Sequence, residues 1–203
     1  MAGKDGVPDE RQYLMRDARN SRHVVWRRSS DLQTIEWCTL AEGESQKVLE
    51  GLILGAAASL PLRIEYRVVC HPDWQTSTVD VRQQHGREET VLTLVRDAAG
   101  AWVRDGQPMP TLDGCVDVDL GFSPSTNTLP IRRLALAIGK SETIEAAWVL
   151  FPDLEVRPLS QTYTRLSDQG YRYASDDFAA DLCVDAAGLV TDYWEWHRIA
   201  LMA

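Results

Sequence analysis

The densest chemistry in the chain is an acidic run, Asp113-Gly114-Cys115-Val116-Asp117-Val118-Asp119. Read as a strand, it puts Asp113, Cys115, Asp117 and Asp119 on one face, because successive side chains leave opposite sides of the pleat. Carboxylates in a row repel unless something compensates them. Three compensations are open: a guanidinium from Arg132 or Arg133, the hydroxyls of a sugar, or a Ca²⁺ or Mg²⁺ ion. An EF-hand loop is excluded, since counting from Asp117 places Gly121 fifth and Thr128 twelfth. Same-face carboxylates can also push one pKa up, which would let Asp117 and Asp119 act as acid and base in a hydrolase or isomerase. No nucleophile elbow, phosphate loop or H-E-x-x-H motif accompanies them. The four histidines, His23, His71, His85 and His197, are scattered. No catalytic residue, metal ligand or cofactor is assigned from these patterns.

The aromatics form a second candidate set. Seven Trp against three Phe favours rings with a polar edge, which suit carbohydrate stacking and amphipathic pockets. Tyr163, Tyr171, Tyr173, Tyr193, Trp194 and Trp196, with Trp74, are the residues expected to line such a pocket, against a plain reading of sheet packing.

The elements that must position these residues have period two. Leu62, Ile64, Tyr66, Val68 and Cys70 alternate with Arg63, Glu65, Arg67 and His71, the mark of a half-buried strand. The same reading covers 34–40, with Ile35 and Trp37 on one face, and 76–82, with Val79 and Val81. It covers 143–151, 178–184 and a single strand over 189–197. Asp97-Ala98-Ala99-Gly100 and Asp185-Ala186-Ala187-Gly188 are the same four-residue turn, with Asp capping it and Gly supplying a positive φ. Ten or more strands at spacings of about 8 to 15 residues predict an all-β barrel, sandwich or roll. One helix is predicted near 129–138, entered through Asn127 and Pro130, with Gly139 just past its end.

Composition narrows the function classes. A net charge of -9 excludes a general nucleic-acid binder, which needs clustered cations, and argues against docking on an anionic membrane. The longest apolar stretch without a charge, Gly51 to Leu62, is shorter than the roughly 20 residues of a bilayer-spanning helix. Residues 1–30 hold seven Lys/Arg and four Asp/Glu, unlike a secretory signal. Residues 1–22 are expected to be a flexible lead-in and 23–203 a single domain. Cys38, Cys70, Cys115 and Cys183 form no C-x-x-C pair, so reduced thiols and a cytoplasmic location are expected.

Several phrases together resemble one family. They are Tyr66 with Asp73-Trp74, Gly100-Ala101-Trp102, the run LDGCVDVDL at 112–120 and TNTLPIRRL at 126–134. Trp148 with Phe151-Pro152-Asp153-Leu154, Gln161-Thr162-Tyr163, Tyr171-Arg172-Tyr173, Phe178, Val184-Asp185 and Gly188-Leu189-Val190 complete the set. From about 23 to 198 the chain resembles the bacterial "putative glycolipid-binding" proteins of roughly 190 residues. The resemblance implies an antiparallel β-roll, or unclosed half-barrel, whose shape is like that of lipoprotein and glycolipid carriers. No catalytic residue carries over. The chain departs from the family at its C-terminus, where Asp192-Tyr193 runs into Trp194-Glu195-Trp196 rather than a Pro-Gly turn.

The expectation is therefore a non-enzymatic binder of a glycolipid or lipid-like amphipath on the concave face of a curved sheet. The candidate contacts are Asp113, Asp117, Asp119, Asn127, Arg132, Arg133 and Gln161 for the head group, with Trp74, Trp148, Tyr163, Tyr173 and Tyr193 beside them. Arg132 and Arg133 are placed at the first turn of the helix, suited to an anionic head group. An interaction or homodimerisation module is the remaining alternative, since a long sheet leaves edges that pair.

Overall fold

A computed structural model describes residues 21–30, 32–176 and 178–202. The first eight strands are β1 (Ser21–Arg28), β2 (Gln33–Glu42), β3 (Lys47–Ala57), β4 (Leu60–Cys70), β5 (Thr76–His85), β6 (Glu88–Arg96), β7 (Trp102–Arg104) and β8 (Gln107–Pro108). After a 3-10 turn at Pro110–Leu112 come β9 (Asp117–Leu120), a second 3-10 turn at Ser125–Asn127 and helix α1 (Thr128–Leu134). The chain ends with β10 (Ser141–Val149), β11 (Val156–Arg165), β12 (Gly170–Ser175), β13 (Phe178–Val184), β14 (Val190–Tyr193) and β15 (Trp196–Met202). The lead-in expected at 1–22 lies outside the described residues except for Ser21 and Arg22, which open β1.

All fifteen strands form one sheet. β1 pairs with β2 on one side and β15 on the other, so the first and last strands meet in its middle. From there the sheet runs outward to β8 on one side and β9 on the other, leaving two edges that are neighbours in sequence. Neighbouring strands are antiparallel, as short hairpin turns require, except that β9 and β10 run parallel. The two Asp-Ala-Ala-Gly turns form as read. Asp97 Oδ1 accepts from the N–H groups of Ala99 and Ala101, and Asp185 Oδ1 from those of Ala187 and Leu189. Gly100 and Gly188 sit at φ +89° and +81°.

The sheet curls until its β9 end lies against β5. Val118 N–H donates to Thr76 Oγ1 and Thr76 N–H to Val116 O. Both faces of β9 and of the C-terminal end of β10 are consequently covered: Asp117, Val118, Leu120, Ala146, Ala147 and Val149 are all buried. The segment 122–131 is buried at every residue and runs through the inside of the roll as a plug. On one side of it the concave face is filled by Trp26, Leu40, Ile53, Ile64, Val81, Leu92 and Trp102.

Three local expectations are corrected. The helix stops at Leu134 because Ala135 takes the left-handed conformation (φ 45°) and donates its N–H back to Ile131 O. Ile138, the last residue of the helix expected near 129–138, lies beyond α1 and is exposed. In β2 the faces are reversed: Ile35 and Trp37 stand on the convex side at 49% and 52% exposure, while Thr34, Glu36, Cys38 and Leu40 point inward. The single strand over 189–197 is a hairpin, β14 and β15, turning at Trp194 (φ 49°) with Tyr193 opposite Trp196.

Candidate functional site

Cross-strand register decides which side chains share the concave face. Asp119 of β9 lies beside Trp148 of β10, Trp148 beside Arg157 of β11, and Ile144 beside Gln161. Tyr163 of β11 lies beside Tyr173 of β12, and Tyr193 of β14 beside Trp196 of β15, which in turn lies beside Arg28 of β1. All of these but Ile144, Gln161 and Tyr163, with the plug on the other side, bound a cleft of about 530 Å³, a size that suits a small-molecule ligand.

Its walls are aromatic. Tyr173 meets Tyr163 edge-on at 5.4 Å and Tyr193 edge-on at 6.2 Å, and Tyr193 stacks on Trp196 at 5.7 Å. At the lip, Phe178 and Trp194 stack at 4.2 Å, with Trp194 54% exposed. Trp148 faces them with the Arg157 guanidinium 4.8 Å over its ring. The floor is polar: Asp119 from β9, and Gly121, Ser123 and Asn127 from the plug. Arg28 closes one side, its Nε donating to Glu195 at 3.0 Å and its guanidinium 4.3 Å from the Trp196 ring.

The floor is held from behind. Gln161 Nε2 donates to Asp119 Oδ2 at 2.6 Å, and the Tyr163 hydroxyl donates to Asn127 Oδ1 at 2.9 Å. Asn127 Nδ2 donates to Pro124 O, so the residue expected to cap α1 instead braces the plug. Burial pushes the Asp119 carboxyl up to about 6, against the lowering effect of its hydrogen bonds to Gln161 and Thr126. Gln161 and Tyr163 act behind the cleft wall, whereas Asp119, Asn127, Trp148, Tyr173 and Tyr193 border the cleft itself.

Five candidates are elsewhere. Asp113 is exposed in the turn before β9, so the four-residue acidic face does not form. Asp117 is buried and clamped by Arg133, with Nε to Oδ1 at 3.0 Å and Nη2 to Oδ2 at 2.5 Å. Desolvation pushes its pKa up and the Arg133 bonds pull it back. Arg132 bonds Ala187 O and Glu42 and lies 4.8 Å over the ring of Trp74. Both arginines stand in the last turn of α1, not the first. Glu42 and the buried Asp117 carry the charge that balances their guanidiniums. Of the expected aromatics, Tyr171 is also absent from the cleft, sitting 5.8 Å from the Arg165 guanidinium.

The sequence reading missed a polar cluster behind the plug. Glu36 is 2% exposed, and its Oε1 accepts from the Tyr66 hydroxyl at 2.5 Å and from Ser123 Oγ at 2.6 Å. Ser125 Oγ lies 2.8 Å from both hydroxyls. Glu36 Oε2 has no hydrogen-bond partner among the described residues. Burial pushes the Glu36 carboxyl up to about 7, against its bonds from Ser123 and Tyr66. The available signal was parity: Glu36 shares its face with Cys38 and Leu40. No group of three or more His, Cys, Asp or Glu among the described residues is placed to hold a metal ion. No helix among them is long and apolar enough to cross a membrane.

Comparison with known proteins agrees with this architecture. The chain is similar to a DUF1089 family protein from Pseudomonas aeruginosa known from its crystal structure. The two are 36% identical, with a TM-score of 0.71 over 83% of this chain and 91% of that one. No curated protein matches the chain. The sequence model of the family described as "Putative glycolipid-binding" matches residues 23–198, and the chain belongs to that family.

Proposed function

We propose that the cleft between the plug and β10–β15 binds a glycolipid or similar amphipath. The sugar-like head lies on Asp119, Ser123 and Asn127, and the apolar part lies along the aromatic walls toward Trp194. The observation that carries this reading is the division of the cleft into a polar floor and aromatic walls. Apolar walls supply affinity and a few fixed polar groups supply orientation. Ring faces suit the C–H faces of a pyranose, while a carboxylate and an amide suit its hydroxyls. Between a sugar and a mixed or anionic head group, an uncharged sugar-like one is favoured, because Arg132 and Arg133 are bound elsewhere and Asp119 occupies the floor. The acid–base alternative loses its pair, since Asp117 is clamped by Arg133. The family's name supports a binding role in general terms.

The test is native mass spectrometry of gently purified protein, followed by solvent extraction and a titration of n-octyl β-D-glucoside read by tryptophan fluorescence. A retained mass that extracts as a lipid, and a saturable response lost in Trp148→Ala, are expected. A bare chain that shows no saturable response to the glucoside overturns the reading.

A further inference from the structure

The cluster behind the plug has the layout of a covalent catalyst. Ser123 borders the cleft. Its hydroxyl donates to Glu36, and Glu36 is in turn held by the Tyr66 hydroxyl. A hydroxyl on a residue that borders a cleft, a carboxylate one hydrogen bond behind it and a third group orienting that carboxylate make the general arrangement for activating a serine. The burial of Glu36 sharpens the point. A buried carboxylate that served only to fasten the plug would be expected to have both oxygens satisfied, yet Oε2 has no partner among the described residues. Tyr66 is seated closely on the neighbouring strand. Its ring covers Gly51, where a Cβ would lie 2.1 Å from Tyr66 Cε1.

We infer that the cleft hydrolyses carboxylic esters of amphipathic substrates, with Ser123 as nucleophile, Glu36 as general base and Tyr66 as the residue positioning Glu36. This rests on the reading of the cleft as an amphipath site. Ser123 Oγ attacks the ester carbonyl carbon while its proton passes to Glu36. The C–O bond to the alcohol breaks, and the alcohol leaves with that proton. Water then attacks the acyl-serine, giving one proton to Glu36. The acid departs as Ser123 Oγ takes the proton back. One ester and one water become one acid and one alcohol, with no change of oxidation state. The cleft also holds an amide donor with a hydrogen to spare for a developing oxyanion, since Asn127 Nδ2 uses one of its two on Pro124 O. Burial has already brought the base near neutrality, pushing Glu36 up to about 7, where a general base works best.

The experiment is labelling of the full chain with an alkyl fluorophosphonate, with the modified residue located by peptide mass mapping, alongside hydrolysis of p-nitrophenyl octanoate. Expected are an adduct on Ser123 and hydrolysis that rises with pH through about 7. Ser123→Ala and Glu36→Gln each lose roughly 100-fold or more. Tyr66→Phe keeps the adduct but moves the pH midpoint upward, because its hydroxyl lowers the Glu36 pKa; a purely structural role would leave the midpoint in place. Labelling of the unaltered protein needs no variant to fold. Absence of an adduct on Ser123, or ester hydrolysis that survives Ser123→Ala, overturns the inference. If n-octyl β-D-glucoside still binds in that case, the binding reading stands alone; if it does not, both fall.

Discussion

Glu36 makes stability depend on pH in a direction opposite to that of an ordinary ion-paired carboxylate. Its folded pKa is raised from 4.5 to about 7, so folding favours the protonated acid. The stabilisation is fully present below about pH 4.5 and is lost as pH rises through 7. At about 1.4 kcal/mol per pH unit, the rise corresponds to about 3 kcal/mol. About 1.4 kcal/mol of that loss falls between pH 6 and 8. That interval isolates Glu36 well. Asp119, raised to about 6, contributes mainly below it, and burial holds Cys38 and Tyr66 neutral far above it. Glu36→Gln keeps an oxygen for the Tyr66 and Ser123 hydroxyls while removing the titration. Urea unfolding followed by tryptophan fluorescence at pH 6, 7 and 8 is the assay. The unaltered protein should lose about 1.4 kcal/mol more than Glu36→Gln across the interval. Equal losses in the two proteins would refute the buried, proton-linked reading of Glu36.

Four further outcomes follow from named contacts. Arg133→Ala leaves Asp117 buried without its partner and should destabilise the fold by about 3 kcal/mol, while Arg133→Met paired with Asp117→Leu recovers much of that loss in thermal unfolding. Neither arginine variant of α1 that still folds should alter the affinity for n-octyl β-D-glucoside, since Arg132 and Arg133 lie outside the cleft. Gly51→Ala forces the Tyr66 ring aside and should cost about 2 kcal/mol, measured by urea unfolding. Trp194→Gly relieves a positive φ and should leave thermal stability equal or slightly higher, yet weaken glucoside binding by removing the ring stacked on Phe178.

Much of the roll was legible in the chain. The alternation of Leu62, Ile64, Tyr66, Val68 and Cys70 is a local property, because the pleat sends every second side chain to the same face. The Asp-Ala-Ala-Gly turns were equally local: a carboxylate two residues from an N–H and a glycine at positive φ need nothing from the rest of the protein. Of the candidate set, Asp119, Asn127, Trp148, Tyr173 and Tyr193 border one cleft. Others of the candidate set were chemically apt but turned to different partners. Asp113 and Asp117 belong to the same acidic phrase, yet one is in solvent and the other is under Arg133.

What sequence alone determined is the strand pattern, the turns and the supply of polar-edged aromatics, because each depends on residues adjacent along the chain. Tertiary structure alone decided which face of β2 is inside, and hence that Glu36 is buried. Both faces of that strand carry apolar residues, and only the curl of the sheet and the plug choose between them. It also decided where the cleft opens. Asp119 with Ser123, Trp148, Tyr173 and Trp196 come from four well-separated stretches of the chain, and strand register across β9–β15 is what sets them side by side. The Trp194-Glu195 turn, a departure from the family pattern in sequence, gains its meaning there. It stands at the lip of the cleft because β15 returns to pair with β1, and Arg28 reaches across to hold it.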